Sequence, residues 1–157
     1  MERMSGYAAA ILANVETGRH DTLFVISHSG RNAVPIEMAM EGKKRGLTTV
    51  AITSLAHAKS VLSRHSSGKR LFEVADIVID NAGPIGDAAI KLDQLPAPIA
   101  PLSTITGAFI IHAVIAAAAE KLLAEGIKPP FFFSGNAPDG DLHNIELFQK
   151  YRNRVKL

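Results

Sequence analysis

The residues best suited to chemistry lie where an apolar run from Thr22 gives way to Ser27-His28-Ser29-Gly30-Arg31-Asn32. A helical pattern follows at once, with Asn32 at its N-cap, Pro35 in its first turn and Gly46 beyond its end. A strand that feeds a helix through a short polar turn leaves backbone N–H groups free at the positive end of the helix dipole. The Ser27 and Ser29 hydroxyls and the Asn32 amide add side-chain donors, and His28 contributes through its backbone. Gly30 lets the main chain come close to a ligand and tolerates a positive φ. Such a turn holds an oxyanion, and a phosphate suits it best, with no cationic side chain required. The same residue types also build plain turns. The strand in front is of the fully buried type, and ligands of open α/β sheets bind beyond the carboxyl ends of strands, which favours the anion site.

A second hydroxyl-rich helix start follows Pro101, where Ser103 or Thr104 serves as N-cap. If both turns face one crevice, their hydroxyls grip a single phosphate. His112 lies inside the apolar helix that begins there. A core histidine is its plainer reading, and a general acid or ring-opening group its sharper one. His57, His65 and His143 read as loop or surface residues. No two histidines have the spacing of a helical zinc site, so no metal is expected. Gly68-Lys69-Arg70 lacks the upstream glycine of a P-loop, and no G-x-G-x-x-G follows a strand, so no cofactor is expected. Asp139-Gly140-Asp141 reads as a capped turn rather than calcium ligands. The basic stretch Lys150-Tyr151-Arg152-Asn153-Arg154 reads as a solvated helix end rather than a nucleic-acid patch.

These groups need a scaffold, and the 157 residues suit one domain over 1–157. Hydrophobic residues make up 47% and charged residues 20%, the balance of a globular chain. The net charge of +2 gives no field to draw nucleic acid or a membrane surface. Cysteine is absent and no signal peptide is visible, which fits a cytoplasmic protein. Expected strands are 22–27, 47–53, 75–80, a short piece around Ile99, and 131–133. Expected helices are 1–15, 33–45, 55–65, 103–125, and 142–154 capped by Asp141. The stretch 81–95 reads as turn-rich. Alternation of apolar strands with helices predicts a three-layer α/β/α fold with a mostly parallel, Rossmann-like sheet of four or five strands. The uncharged run 105–119 is shorter than the roughly 20 residues needed to cross a bilayer, so a helix buried in the core or at a homodimer interface is expected.

The two hydroxyl-rich turns together resemble the sugar isomerase (SIS) domain, a phosphosugar-binding α/β module whose hallmark strand ends in S-x-S-G-x-[ST]. Here it reads Ser27-His28-Ser29-Gly30-Arg31-Asn32, with asparagine at the last position, and the later S-T is Ser103-Thr104. The segments 30–37, 53–57, 81–84 and 141–144 resemble the uncharacterised members labelled phosphoheptose isomerases. The resemblance implies a sugar-phosphate ligand gripped by Ser27, His28, Ser29, Gly30, Asn32, Ser103 and Thr104, with a homodimer or higher oligomer completing the pocket. It implies an aldose–ketose isomerase, or else a non-catalytic phosphosugar sensor, or an amino-sugar phosphate lyase. Members of the family begin with a further βα unit ahead of the residues matching Met1, so an N-terminally truncated domain is expected. No general base is assignable, since Glu37 and Glu120 read as solvent-facing. His112 is the first candidate for ring opening, about 12 Å along the helix from Thr104.

Overall fold

In the computed structural model, which describes residues 1–152 and 154, the chain forms two compact units, one over Met1–Ile111 and a second from His112 onward. The first unit is α/β. Strands β1 (Thr22–Ile26), β2 (Thr48–Thr53) and β3 (Ile77–Asp80) form a parallel sheet in that order. Helix α2 (Ala33–Lys44) is the crossover between β1 and β2 and packs on both. Side chains alternate across the sheet. Val25 and Ala51 therefore meet Ile36 and Ala39 of α2 in one cluster with Leu71 and Val74. A Cβ on Gly42 would stand 2.7 Å from Leu23 Cδ2, so glycine there lets α2 lie close on the sheet. Helix α1 (Tyr7–Ala13) packs on α2 and starts late because Gly6 has a φ of 83°.

β2 is central and buried on both faces, whereas β1 and β3 are sheet edges. Ile26 of β1 and Ile77 of β3 point away from α2 and remain half-exposed. Helix α4 (Ser103–Ala124) reaches that second face near its start, where a Cβ on Gly107 would stand 3.0 Å from Ile26 Cγ2. The parallel sheet, its crossover helix and a helix approaching from the other side bear out the α/β class.

Several elements depart from expectation, each for a visible reason. The parallel sheet has three strands rather than four or five. The extended piece at Ile99 is β5 (Ile99–Pro101), which pairs antiparallel with β4 (Ala88–Ile90), an element unforeseen in the turn-rich stretch. These two segments are too close in sequence for a parallel crossover, and Pro96 and Pro98 break the backbone between them. Helix α3 (Leu55–Ser60) stops five residues early, because Val61 is extended and Arg64 N turns back to donate to Arg31 O at 2.7 Å. In the second unit, Phe131 to Phe133 is not a strand. The Asn144 side chain of α5 (Gly140–Tyr151) pairs with both N and O of Phe133 at 2.9 Å, so a side-chain amide takes the place of a neighbouring strand. Asp139 rather than Asp141 precedes α5, in a left-handed conformation, and Asp141 lies in its first turn.

The largest departure is α4. Only Gly107 among its residues is buried, so it is not a core helix of this chain. The most apolar 18 of its 22 residues have a mean hydropathy of 1.6, and by length and composition alone it is long enough to cross a membrane. The run 105–119 had implied a shorter segment.

Asp76 fixes how β3 enters the sheet. Its carboxylate accepts from Thr49 N at 2.9 Å and Thr49 Oγ1 at 2.7 Å, and pairs with Lys43 Nζ at 2.7 Å. The lysine and the two threonine donors hold it well below the usual carboxylate range. Below its ordinary value of 3.8 the unfolded chain takes up a proton that the folded chain refuses, so acid favours unfolding. An Asp76→Asn variant is therefore expected to be less stable at pH 7, with the gap to wild type closing as pH falls below about 4, where the unfolded carboxylate titrates. Urea melts across that range check it, and a gap constant with pH would contradict it.

Candidate functional site

The site grows from the carboxyl ends of the three parallel strands. Ser27 N donates to Ile52 O at 3.0 Å, which carries the ladder one residue past β1. His28 O then accepts from Ser54 N and from Thr53 Oγ1, both at 3.0 Å, so the turn is pinned to the end of β2. Gly30 has a φ of 55°, and a Cβ there would lie 3.0 Å from Leu71 Cβ. Its N–H points back to Ser27 Oγ at 3.3 Å. The Ser29 hydroxyl makes no hydrogen bond among the described residues and is free for a ligand.

Asn32 stands at the N-cap of α2 as expected, but its side chain makes no capping bond. It is buried, and its Oδ1 accepts from Arg64 Nη1 at 3.1 Å. Val34 N donates instead to Glu2 O at 3.0 Å. Asn32 thus positions an arginine, and the orphan donors of the helix are shared with the N-terminal segment.

The start of α4 has an internal anion. Leu102 occupies its N-cap position and has no side-chain acceptor, and Asp87 supplies one from the β3–β4 loop. The Asp87 carboxylate accepts from Leu102 N at 3.1 Å, Ser103 N at 2.8 Å and the Ser103 hydroxyl at 2.6 Å. Burial pushes its carboxyl up, but the Ser103 hydroxyl and amide, His28 and Leu102 N outweigh burial and hold it below its ordinary value. Ser103 therefore binds a carboxylate of the protein itself. Thr104 is exposed beside it.

Two histidines that sequence reasoning left out as side chains line the same strand ends. The His28 ring meets Pro84 O through Nε2 at 2.9 Å, which puts its proton there and leaves Nδ1 facing Asn81 Nδ2 at 3.4 Å. Asn81 Oδ1 accepts from Gly83 N, which fixes that amide's orientation. Asp87 stands 3.7 Å from His28 Nδ1. The His57 ring lies 5.2 Å from that of His28, and its Nδ1 accepts from Gly86 N at 2.8 Å. Partial burial, then the charges of His28 and Arg31, lower its pKa against the opposing pull of Asp87. Neutral His57 thus carries its proton on Nε2, a donor with no partner among the described residues. Histidines two residues beyond the end of β1 and four beyond the end of β2 were the signals that could have found them.

The turn, Ser103 and the two histidines therefore gather at one end of the first unit. His112 belongs to the second unit, and is exposed on α4 rather than a core histidine. Among the described residues no group of three metal-ligating side chains stands together.

Residues 1–54 match the SIS domain family, a span that holds the whole Ser27–Asn32 turn. A UPF0309 protein of Shouchella clausii is 43% identical over 155 residues, which is 99% of this chain and 63% of that protein. A UPF0309 protein of Oceanobacillus iheyensis gives the same identity and coverage. One from Listeria innocua is 42% identical over 157 residues, all of this chain and 64% of the relative. The chain thus spans a little under two thirds of the length of the curated relatives it matches. These three relatives carry the name UPF0309 protein, and none of them is named a phosphoheptose isomerase.

Proposed function

We propose that this chain binds a sugar phosphate at the Ser27–Asn32 turn. One observation carries the reading: the turn that lies within the SIS domain match presents a free Ser29 hydroxyl at the carboxyl ends of parallel strands. A hydrogen bond to a charged group is worth about 1.5–3 kcal/mol, and about 1.4 kcal/mol is a factor of ten. Ser29→Ala is therefore expected to weaken binding of fructose 6-phosphate or a related sugar phosphate at least tenfold while the fold survives. Calorimetry checks this, and equal affinity for both proteins would reject the site.

The partners are a sugar phosphate and a second copy of the chain in a cytoplasmic homodimer, with no role for nucleic acid or membrane. The reaction consistent with the SIS resemblance is aldose–ketose isomerisation, and a lyase acting on an amino-sugar phosphate is the related alternative. A specific observation favours a non-catalytic sensor over both. The carboxylates at the strand ends already hold the protein's own groups. Asp80 accepts from Leu55 N and Ala82 N at 3.0 Å, and Asp87 accepts from Ser103. Glu37 accepts from Gly6 N at 2.7 Å and faces His65. Asp87 and Glu37 are engaged through both oxygens, which leaves neither as a base for moving a proton between carbons, and Asp80, held through Oδ1 alone, is exposed. In heavy water with sugar phosphates, this chain alone is expected to bind without washing deuterium into the substrate. Rapid incorporation would overturn the sensor reading, and its loss in His112→Ala or His57→Ala would identify the proton-handling side chain.

A further inference from the structure

Beside the turn, Arg3, Arg31 and Arg64 gather with one acidic residue, Glu2, set against them. Arg64 reaches the turn through two bonds, from its backbone N to Arg31 O at 2.7 Å and from its guanidinium to Asn32 Oδ1 at 3.1 Å. None of Arg3, Arg31 and Arg64 forms an ion pair among the described residues. Burial and the charges of Arg3 and Arg31 lower the affinity of Arg64 for its proton, with only Glu2 acting against them. The Arg31 charge acts on His57 as well as on Arg64.

Arg31 is the unusual member. Its Nε is buried and has no hydrogen-bond partner among the described residues. A buried donor without an acceptor is costly, and the cost rises where neighbouring charges have the same sign. A guanidinium offers a planar fork of donors that matches a phosphate on two oxygens, so an anion is the ligand best fitted to offset such a side chain.

We propose that Arg31 is the cation of this anion site, donating its guanidinium N–H groups to the phosphate held at the Ser27–Asn32 turn. The proposal rests on the phosphosugar reading and adds to it a charged contact that the hydroxyls and backbone do not provide. Arg64, fixed by Asn32, and Arg3 raise the local positive potential. Binding at this site is then sensitive to ionic strength and selects the phosphorylated sugar over its neutral parent.

Calorimetry on the full chain with fructose 6-phosphate, inorganic phosphate and fructose, at low and high salt, tests this beside thermal melts of the unliganded protein. Arg31→Met is expected to weaken both phosphate probes at least tenfold and to flatten their salt dependence. Its unliganded Tm should equal or exceed that of wild type, because an unpaired buried donor and a like-charge contact are both removed. Arg31→Lys should recover part of the affinity through its charge. A structural arginine would do the reverse, so lost affinity together with a lower Tm overturns the proposal. Affinity that falls in Ser29→Ala but not in Arg31→Met overturns it while leaving the phosphosugar reading intact. A wild-type protein that binds neither phosphate probe removes both.

Discussion

A Gly30→Val variant is expected to lose sugar-phosphate binding by a factor of at least one hundred and to be several kcal/mol less stable. Gly30 has a φ of 55°, a conformation that costs an L-residue about 1–2 kcal/mol. The new Cβ would stand 3.0 Å from Leu71 Cβ and 3.3 Å from Thr53 Oγ1. Leu71 is fully buried and its N–H is bonded to Gly30 O at 2.8 Å, so the neighbour has little room to withdraw. Overpacking of this kind costs about 1–3 kcal/mol, so the total is about 2–5 kcal/mol. Relief comes only by turning the 29–31 peptides, which moves the Ser29 hydroxyl and Arg31 away from a common ligand. A hundredfold loss corresponds to about 2.7 kcal/mol of binding, which is the loss of one or two hydrogen bonds to a charged group. Denaturant melts and calorimetry read the two effects separately. A valine variant with wild-type stability and affinity would show that the backbone at this position is not under constraint.

That turn was also the most legible part of the sequence, because its signal is local. Apolar β-rich residues stop at Ser27 and a helix starts after Asn32, so strand, turn and helix are all written within a few positions. β2 and α2 follow from the same kind of pattern. β3 was legible but short, since Asp76 turns aside to clasp Thr49 before the ladder begins. What escaped sequence reading depends on contacts between distant residues. Asp87 caps a helix 16 positions away, and nothing in its own neighbourhood announces it, although Leu102 at an N-cap position implies an acceptor from elsewhere. Asn32 has the residue type of a cap and the position of one, yet its oxygen serves Arg64, 32 residues on. Phe131 to Phe133 has the apolar β-rich look of a strand, and only the amide of Asn144 decides otherwise. Arg31 was passed over because a helix start needs no cation to bind an anion, and its buried, unpaired Nε is a fact of packing alone.

The apolar surface of α4 carries the second large prediction. Ile105 and Phe109 are 68% and 72% exposed, four residues apart on one face of the helix, both within the first unit. Polar residues are expected on an open face of this kind, and a helix apolar all round is one that something covers. A second copy of the chain is the expected occupant. The helix would then meet its symmetry mate, and each side chain would be buried twice per dimer. Burying a side chain of this size is worth about 1.5–3 kcal/mol, so one Glu substitution removes about 4 kcal/mol across the two copies, a thousandfold in the dimer constant. Glutamate is a good helix former, and the position is exposed, so the monomer keeps its fold. Sedimentation at micromolar concentration is expected to find a dimer for wild type and a monomer for Phe109→Glu and Ile105→Glu. Three results would refute this: a wild-type monomer with that face open to water, a wild-type protein that stays in solution only with detergent or vesicles, as a bilayer-bound helix would, and a dimer that both substitutions leave intact. The sugar-phosphate titration of the monomeric variants then shows whether the pocket needs its second copy. Affinity that falls along with the dimer ties assembly to binding, whereas unchanged affinity shows that the turn, Ser29 and Arg31 suffice within one chain.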